Sequence, residues 1–484
     1  MKKILRMMSL LLCIAMVFAL GACGKAENTS SVNEDDPILI GFDGVSNVDG
    51  TNSEKNESAA SNIGINDKTE EYGGTTVSQR VDIKSSDPFA NIPERLRGTT
   101  VKFATWGDES GEAYRKVFRA FTKKTGIKVQ IIEYPQNSYL ESVAASVANK
   151  SAPDVVVAST FPHVATTLQP LNNIIDLSDD FWDKRSVNYG TVNGKSYLVN
   201  SWKSCWQGVQ VTFYNKAIFE NNGLTSPEDY YKAGKWTYEN LEKCAKEVAA
   251  LGNGIKGVEP RPHFLSMQMG KPVFKYDAGT HMYSGNIKST VEAYQWFNSL
   301  TASGAALNYE DWGIFASGKL GIILSDLYGA KFNGYFKDMK DSELRMIPLP
   351  SSINGKPLEQ AVTNGLRAYG IAKGAKNPEG AVYFLRYFLD YDYYKQAGAK
   401  IFKNDNLEKA YFDTIIPIYK NAKNYVIDPI GDLTSQAGFS FERTLGNDLL
   451  KASSGQITTL INSKANMYDN AANQANEIIK QIGK

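Results

Sequence analysis

The stretch from Val101 to Val157 constrains the fold more than any other part of the chain. Val101–Thr105 has the apolar pattern of a strand. Tyr114, Val117, Phe118 and Phe121 then fall at i, i+3, i+4 and i+7, one face of a helix, and Gly126 is placed to end it. Ile127, Val129 and Ile131 alternate as a second strand. Leu140, Val143, Ala144 and Val147 form a second amphipathic stripe, and Pro153-Asp154 leads into Val155-Val156-Val157, a run suited to a strand buried on both faces. Strands that alternate with helices pair in parallel through helical crossovers, which makes this a doubly wound α/β sheet.

The pattern loosens beyond this unit. Asn193-Gly194 marks a type I′ hairpin turn between Thr191-Val192 and Tyr197-Leu198-Val199. Val209–Tyr214 reads as another strand, Thr237 as the N-cap of a helix that runs to Leu251, and Asn377-Pro378 as a helix start. A helical stripe runs from Ile457 through Ile461, Ala465, Tyr468, Ala472, Ala475 and Ile479. At 484 residues the chain is long enough for two to four domains, and it needs at least two sheets.

The N-terminus is not part of that body. Met1–Arg6 carries three positive charges, and Met7–Leu20 is an apolar run of 14 residues, shorter than the roughly 17–25 needed to span a bilayer. Leu20-Gly21-Ala22-Cys23 closes it and resembles a bacterial lipoprotein processing site. On this reading residues 1–22 are a signal peptide and Cys23 becomes the lipidated first residue. Asp43–Thr69 contains no aromatic residue and is dense in Asn, Ser, Gly, Asp and Glu, so it buries too little to offset its ordering entropy. Residues 23–97 are therefore expected to be a disordered tether, reaching on average roughly 45–50 Å. Pro37–Ile40 and Phe42 stand out within it as a small apolar patch with no fold assigned.

Charge and chemistry exclude several classes. Without Lys2, Lys3 and Arg6 the chain has 50 basic and 52 acidic residues, a net of −2 and not the basic field of a nucleic-acid binder. His163, His263 and His281 stand alone, so no zinc site is expected. There is no phosphate loop, no dinucleotide fingerprint and no nucleophile elbow. No cofactor is expected. Glycosidase carboxylates can come from distant strands, so a hydrolase stays an alternative, although no acidic pair is singled out. Cys244 lies on an apolar helical stripe with Leu241, Ala245 and Val248; a bridge to Cys205 is left open.

Aromatic residues gather where a doubly wound sheet presents its loops, outside the carboxyl ends of strands. Trp106, Asp108 and Glu109 follow the first strand, Ser159 and Phe161 follow Val155–Ala158, Trp202 and Trp206 precede the Val209 strand, and Asp326 and Tyr328 follow Gly321–Leu324. Tryptophan faces stack on the apolar faces of sugar rings while acids and amides take hydroxyls. Trp182, Trp236 and Trp296 are expected in the core instead.

Eight stretches then occur in a family's order: Phe121–Val129, Ala152–Val156, Leu168–Leu171, Asn193–Tyr197, Phe213–Leu224, Lys235–Leu241, Phe315–Ile323 and Gly365–Ala372. From Val101 onward the chain resembles the extracellular solute-binding lipoproteins of ABC sugar importers, the maltose-binding-like family. The resemblance implies a two-lobed periplasmic-binding-protein-like fold, each lobe a mainly parallel sheet flanked by helices. It places one lobe at 98–208 plus 364–405 and the other at 209–363 plus 406–484, with crossings near Gly208–Val211, Val362–Gly365 and Lys403–Leu407. It also implies that Trp106, Asp108, Glu109, Ser159, Phe161, Trp206, Gln207, Tyr328, Arg367 and Phe441 line the cleft. Two departures stand against assigning maltose: the position usually followed by Gly-x-Trp reads Asp326-Leu327-Tyr328, and the loop after the third strand lacks the relatives' polar pair. The implied protein is a monomer on the extracytoplasmic face of the bacterial membrane, held by its lipid, that binds a carbohydrate and passes it to importer permease subunits. A surface glycan receptor or sensor of the same fold, without a permease, is the alternative.

Overall fold

The structure is a computed structural model that describes residues 38–41, 81 and 87–481, except 108, 159–162, 205–207, 271–273, 278–279, 284–286, 310, 332–333, 364–366, 424 and 428–444. The expected signal peptide, Cys23, Cys205 and most of the expected tether lie outside the described residues.

The first sheet is built from β1 (Ile38–Gly41), β2 (Thr100–Thr105), β3 (Lys128–Glu133) and β4 (Val155–Ala158), joined by the helices α1 (Glu112–Thr125) and α2 (Tyr139–Ala148). The order β1-β3-β2-β4 is parallel throughout. Gly126 ends α1 with φ +76°, a left-handed conformation that costs a residue with a Cβ, and its N–H returns to the Thr122 carbonyl. The chain then runs through α3 (Lys184–Tyr189) into the second sheet.

That sheet contains β5 (Gln210–Asn215), β6 (Lys256–Glu259), β7 (Leu320–Asp326) and β8 (Leu344–Ile347) in the order β8-β5-β7-β6. Between β5 and β6 lies α4 (Tyr238–Ala249), and between β6 and β7 lies α5 (Ile287–Ala302). β6 and β7 pair in parallel, whereas β5 is antiparallel to both β7 and β8. This corrects the expectation of a mainly parallel second sheet. β6 and β7 are consecutive among these four strands, and the chain between them, through α5, supplies the long crossover that a parallel pair needs. The chain comes back through β9 (Val362–Thr363) to β10 (Ala368–Ile371), which adds to the first sheet antiparallel to β4. It continues through α6 (Pro378–Phe388), α7 (Ile416–Asn421), β11 (Val426–Ile427) and the terminal α8 (Ile457–Gln481).

The two faces of β5 and β7 serve different cores. Val211, Phe213 and Ile323 join the large cluster that also holds Phe103, Phe118, Phe121, Phe384 and Phe388. Tyr214, Ile322 and Leu324 face a second cluster with Trp236, Leu241, Val248 and Phe297. Ile457, Ile461 and Tyr468 of α8 belong to a third, around Tyr294 and Leu449. Trp236 is 2% exposed and its indole N–H donates to the Pro348 carbonyl at 3.0 Å, so it is core, as are buried Trp182 and the partly buried Trp296. Cys244 is a buried free thiol on α4, and it contacts the Thr225 carbonyl at 3.7 Å. The open question of its bridge to Cys205 is thereby answered for Cys244.

The expected tether also shrinks. Ile38–Gly41 pairs with β3 from Ile38↔Val129 to Gly41↔Ile132, covering what would be the open edge of the sheet. The Val81 N–H donates to the Ile174 carbonyl at 2.9 Å, and Val81, Phe89, Ile92 and Leu96 are buried. Phe89 packs edge-on against Tyr387 and Tyr393, with centroids 5.3 and 5.4 Å away. Short apolar groups in a polar stretch are individually too weak to signal a fold. They find partners only once the sheet edge and α6 exist.

Candidate functional site

Trp106 stands at the carboxyl end of β2. The chain turns at once through Gly107, whose φ of +104° only glycine adopts without strain, and Ser110 closes the loop by donating its N–H and hydroxyl to the Gly107 carbonyl at 3.2 and 2.9 Å. The tryptophan is half-buried, with its ring edge-on to Tyr139 at 4.9 Å and the Arg367 guanidinium 4.5 Å from its centroid. Tyr139 is fixed in turn. Its hydroxyl donates to the Ala104 carbonyl at 3.0 Å and accepts the Val157 N–H at 3.1 Å, joining β2 to β4. Burial, reinforced by the Glu109 charge, pushes the Tyr139 phenol well above its ordinary pKa, so it stays a hydroxyl.

Glu109 turns inward and is 1% exposed. It accepts from Arg367 Nε at 3.0 Å, from Arg367 Nη2 and from the Thr105 hydroxyl, with the Tyr369 hydroxyl at 3.5 Å. Two residues expected to reach a ligand independently are thus partners of each other. Their joint product is the placement of Trp106.

A second aromatic group lies at the carboxyl ends of β6 and β7. Asp326 accepts the Tyr328 N–H at 2.8 Å and caps the short turn Leu327–Ala330. Asp311 caps the helical turn Trp312–Ala316 and is itself placed by its N–H, which donates to Glu259 Oε2 at 2.9 Å. Trp312 therefore stands beside Tyr328 at 5.8 Å and meets Tyr335 edge-on at 4.7 Å. Tyr335 is 59% exposed, so this face is open to solvent. Beneath it Arg261 donates to Glu259 Oε1 at 3.1 Å and lies 6.0 Å from the Trp312 ring. Burial raises the Glu259 carboxyl above its usual range, and the Arg261 charge opposes that rise.

One contact joins the helix after the Trp106 loop to the turn that carries Tyr328. Lys331, three residues past Tyr328, is 1% exposed, and its ammonium donates to the Tyr114 hydroxyl at 2.9 Å. Tyr114 is on α1, directly after the Trp106 loop.

Of the other expected residues, Trp202 occupies a different neighbourhood, 5.6 Å from the Arg185 guanidinium and 5.5 Å from the Lys420 ammonium. Asp108, Ser159, Phe161, Trp206, Gln207 and Phe441 lie outside the described residues. Trp312, Tyr335, Arg261 and Lys331 were not anticipated. Trp312 had a readable signal, because it follows an Asp N-cap, but three residues from Phe315 it also fits a core stripe. Among the described residues no group of His, Cys, Asp and Glu is arranged to hold a metal ion, and no helix is long and apolar enough to cross a membrane.

The family profile of bacterial extracellular solute-binding proteins matches residues 105–395, more than half of the chain. The chain belongs to that family. No curated protein matches this solute-binding protein by sequence. Among solved structures it is similar to the galacto-N-biose- and lacto-N-biose I-binding protein of a Bifidobacterium longum ABC transporter, in complex with lacto-N-biose. That likeness has a TM-score of 0.56 and 16% identity and covers 79% of this chain and 98% of the other. A second is a solute-binding protein from Agrobacterium radiobacter in complex with ribitol, with TM-score 0.55, 18% identity and coverage of 79% and 99%. A third is a Listeria monocytogenes ABC substrate-binding protein in complex with cycloalternan, with TM-score 0.52, 17% identity and coverage of 79% and 98%. At such identities the likeness is one of fold, and that fold is two-lobed α/β.

Proposed function

We propose that this solute-binding protein captures a carbohydrate, an oligosaccharide rather than a single sugar, between its two lobes and delivers it to an ABC importer. The observation that carries the reading is the pair of solvent-reaching aromatic groups on either side of the Lys331–Tyr114 contact. Trp106 lies on one side, and Trp312, Tyr328 and Tyr335 on the other. Rings contributed by both groups would suit more than one sugar unit, and the neighbouring Glu109–Arg367 and Glu259–Arg261 pairs keep the rings in place. Solved relatives whose complexes hold lacto-N-biose and cycloalternan support the ligand class.

The lobes are proposed as residues 98–208 plus 364–405 and 209–363 plus 406–484, and Cys23 as a lipid anchor that holds the protein on the extracytoplasmic face. The site chemistry proposed is binding without catalysis. Calorimetry and thermal shift against a panel of mono- and oligosaccharides test the reading, since a ligand that binds only the folded state raises Tm by mass action. Stabilisation by an oligosaccharide with no turnover supports it. A panel that leaves Tm unchanged, or a sugar that is cleaved, sinks it.

A further inference from the structure

Tyr419 of α7 is 2% exposed, and its hydroxyl stands between two segments that run from one sheet to the other. It accepts the Gln210 N–H at 3.1 Å and donates to the Val362 carbonyl. Gln210 opens β5 and Val362 opens β9; beside them, among the described residues, Val209 and Thr363 meet in an antiparallel bridge. The phenol gives the Gln210 N–H an acceptor and the Val362 carbonyl a donor, and so ties the two segments together beside that bridge. Burial lifts the Tyr419 phenol above its ordinary pKa, and it therefore keeps the proton that it donates.

The helix that carries this hydroxyl is itself fastened to the first lobe. Arg185 of α3 donates through Nη1 to the carbonyls of Tyr419 and Ala422, both at 2.6 Å, and of Lys420 at 3.3 Å. These are terminal carbonyls that α7 cannot satisfy internally. Arg185 Nε rests on Asp183 Oδ1 at 3.0 Å, and Asp183 Oδ2 accepts the Tyr425 hydroxyl at 3.0 Å. Tyr425 leads into β11, which pairs with β9 through Val362↔Val426. One connected side-chain set, with Tyr419 and Asp183 buried within it, thus reaches β5, β9 and β11.

We propose that Tyr419 is the positioning residue of the hinge: its hydroxyl couples β5 to β9 so that the lobes turn about one axis, and Arg185 fixes it to the first lobe. Hinges concentrate their motion in a few residues, and two crossing strands that moved independently would loosen the rotation. This holds whatever ligand the cleft takes.

Tyr419→Phe keeps the ring and removes both hydrogen bonds. Hydrogen exchange on the mature chain should show the Gln210 amide exchanging at least tenfold faster, while Phe213 and Ile323 in the strand interiors keep their protection. X-ray scattering should show a broader distribution of molecular dimensions. Arg185→Lys keeps the charge but not the fork to three carbonyls, and it should give the same local pattern more weakly. Unchanged exchange at Gln210, or an equal rise across all of β5 and β7, overturns the proposal. If Tyr419→Phe does not fold, Arg185→Lys is judged by the same two criteria.

Discussion

Glu109 and Arg367, 258 positions apart, form a buried pair in which the guanidinium donates through both Nε and Nη2 to one carboxylate oxygen. The arginine also covers the face of Trp106. Breaking one partner leaves the other charge buried without compensation, which typically costs about 3–5 kcal/mol. Glu109→Gln and Arg367→Met should each lower stability on that scale. The double substitution should cost clearly less than the two single losses combined, because no lone charge is left. Denaturant melts of the three variants read this coupling.

The tryptophans should separate by role. Replacing Trp106 or Trp312 with Ala should weaken binding of the proposed oligosaccharide by roughly 1–3 kcal/mol, about five- to 150-fold, with a folded protein remaining. Trp236→Ala should do the reverse, at a stability cost of about 3–5 kcal/mol for an emptied core site. Calorimetry beside melting curves decides this. Loss of folding in both cleft variants, without weaker binding in the folded fraction, would remove these residues from the site.

Burial pushes the Cys244 thiol up to about 12. An unperturbed thiol near pKa 8.5 has a sizeable thiolate fraction at pH 8, and the thiolate is the reactive form. In a Cys13→Ser, Cys23→Ser, Cys205→Ser background, Cys244 should therefore resist a thiol reagent at pH 8 in the native state and react fully in guanidinium. Rapid native labelling would mean that the α4 face opens.

The N-terminal stretch should divide in the same way. Deleting Asn47–Lys68 should leave Tm unchanged, since it carries no apolar period. Substituting Gly and Ser for Ile38–Gly41 should lower Tm by about 2–4 °C, the effect of roughly 1 kcal/mol on a domain of 150–250 residues. It should also speed exchange along β3. If Tm is unaffected, the strand adds nothing to the body.

Cys23→Ser should abolish incorporation of labelled palmitate and leave the folded body intact. Equal label in mutant and wild type would end the lipoprotein reading.

Sequence by itself determined the elements whose apolar period is local. The stripe of Tyr114, Val117, Phe118 and Phe121, the strands that frame it and the capping of α4 by Thr237 can be read within a few turns of chain. Trp106 as a residue at a strand end was equally legible. Tertiary structure alone decided that Glu109 spends its carboxylate on Arg367, that Trp202 belongs with Arg185 and that Trp312 joins Tyr328. It also decided that Ile38–Gly41 closes a sheet edge far along the chain. Period is set by neighbours a few residues away, whereas a buried charge or a ring face takes whichever partner the packing brings to it.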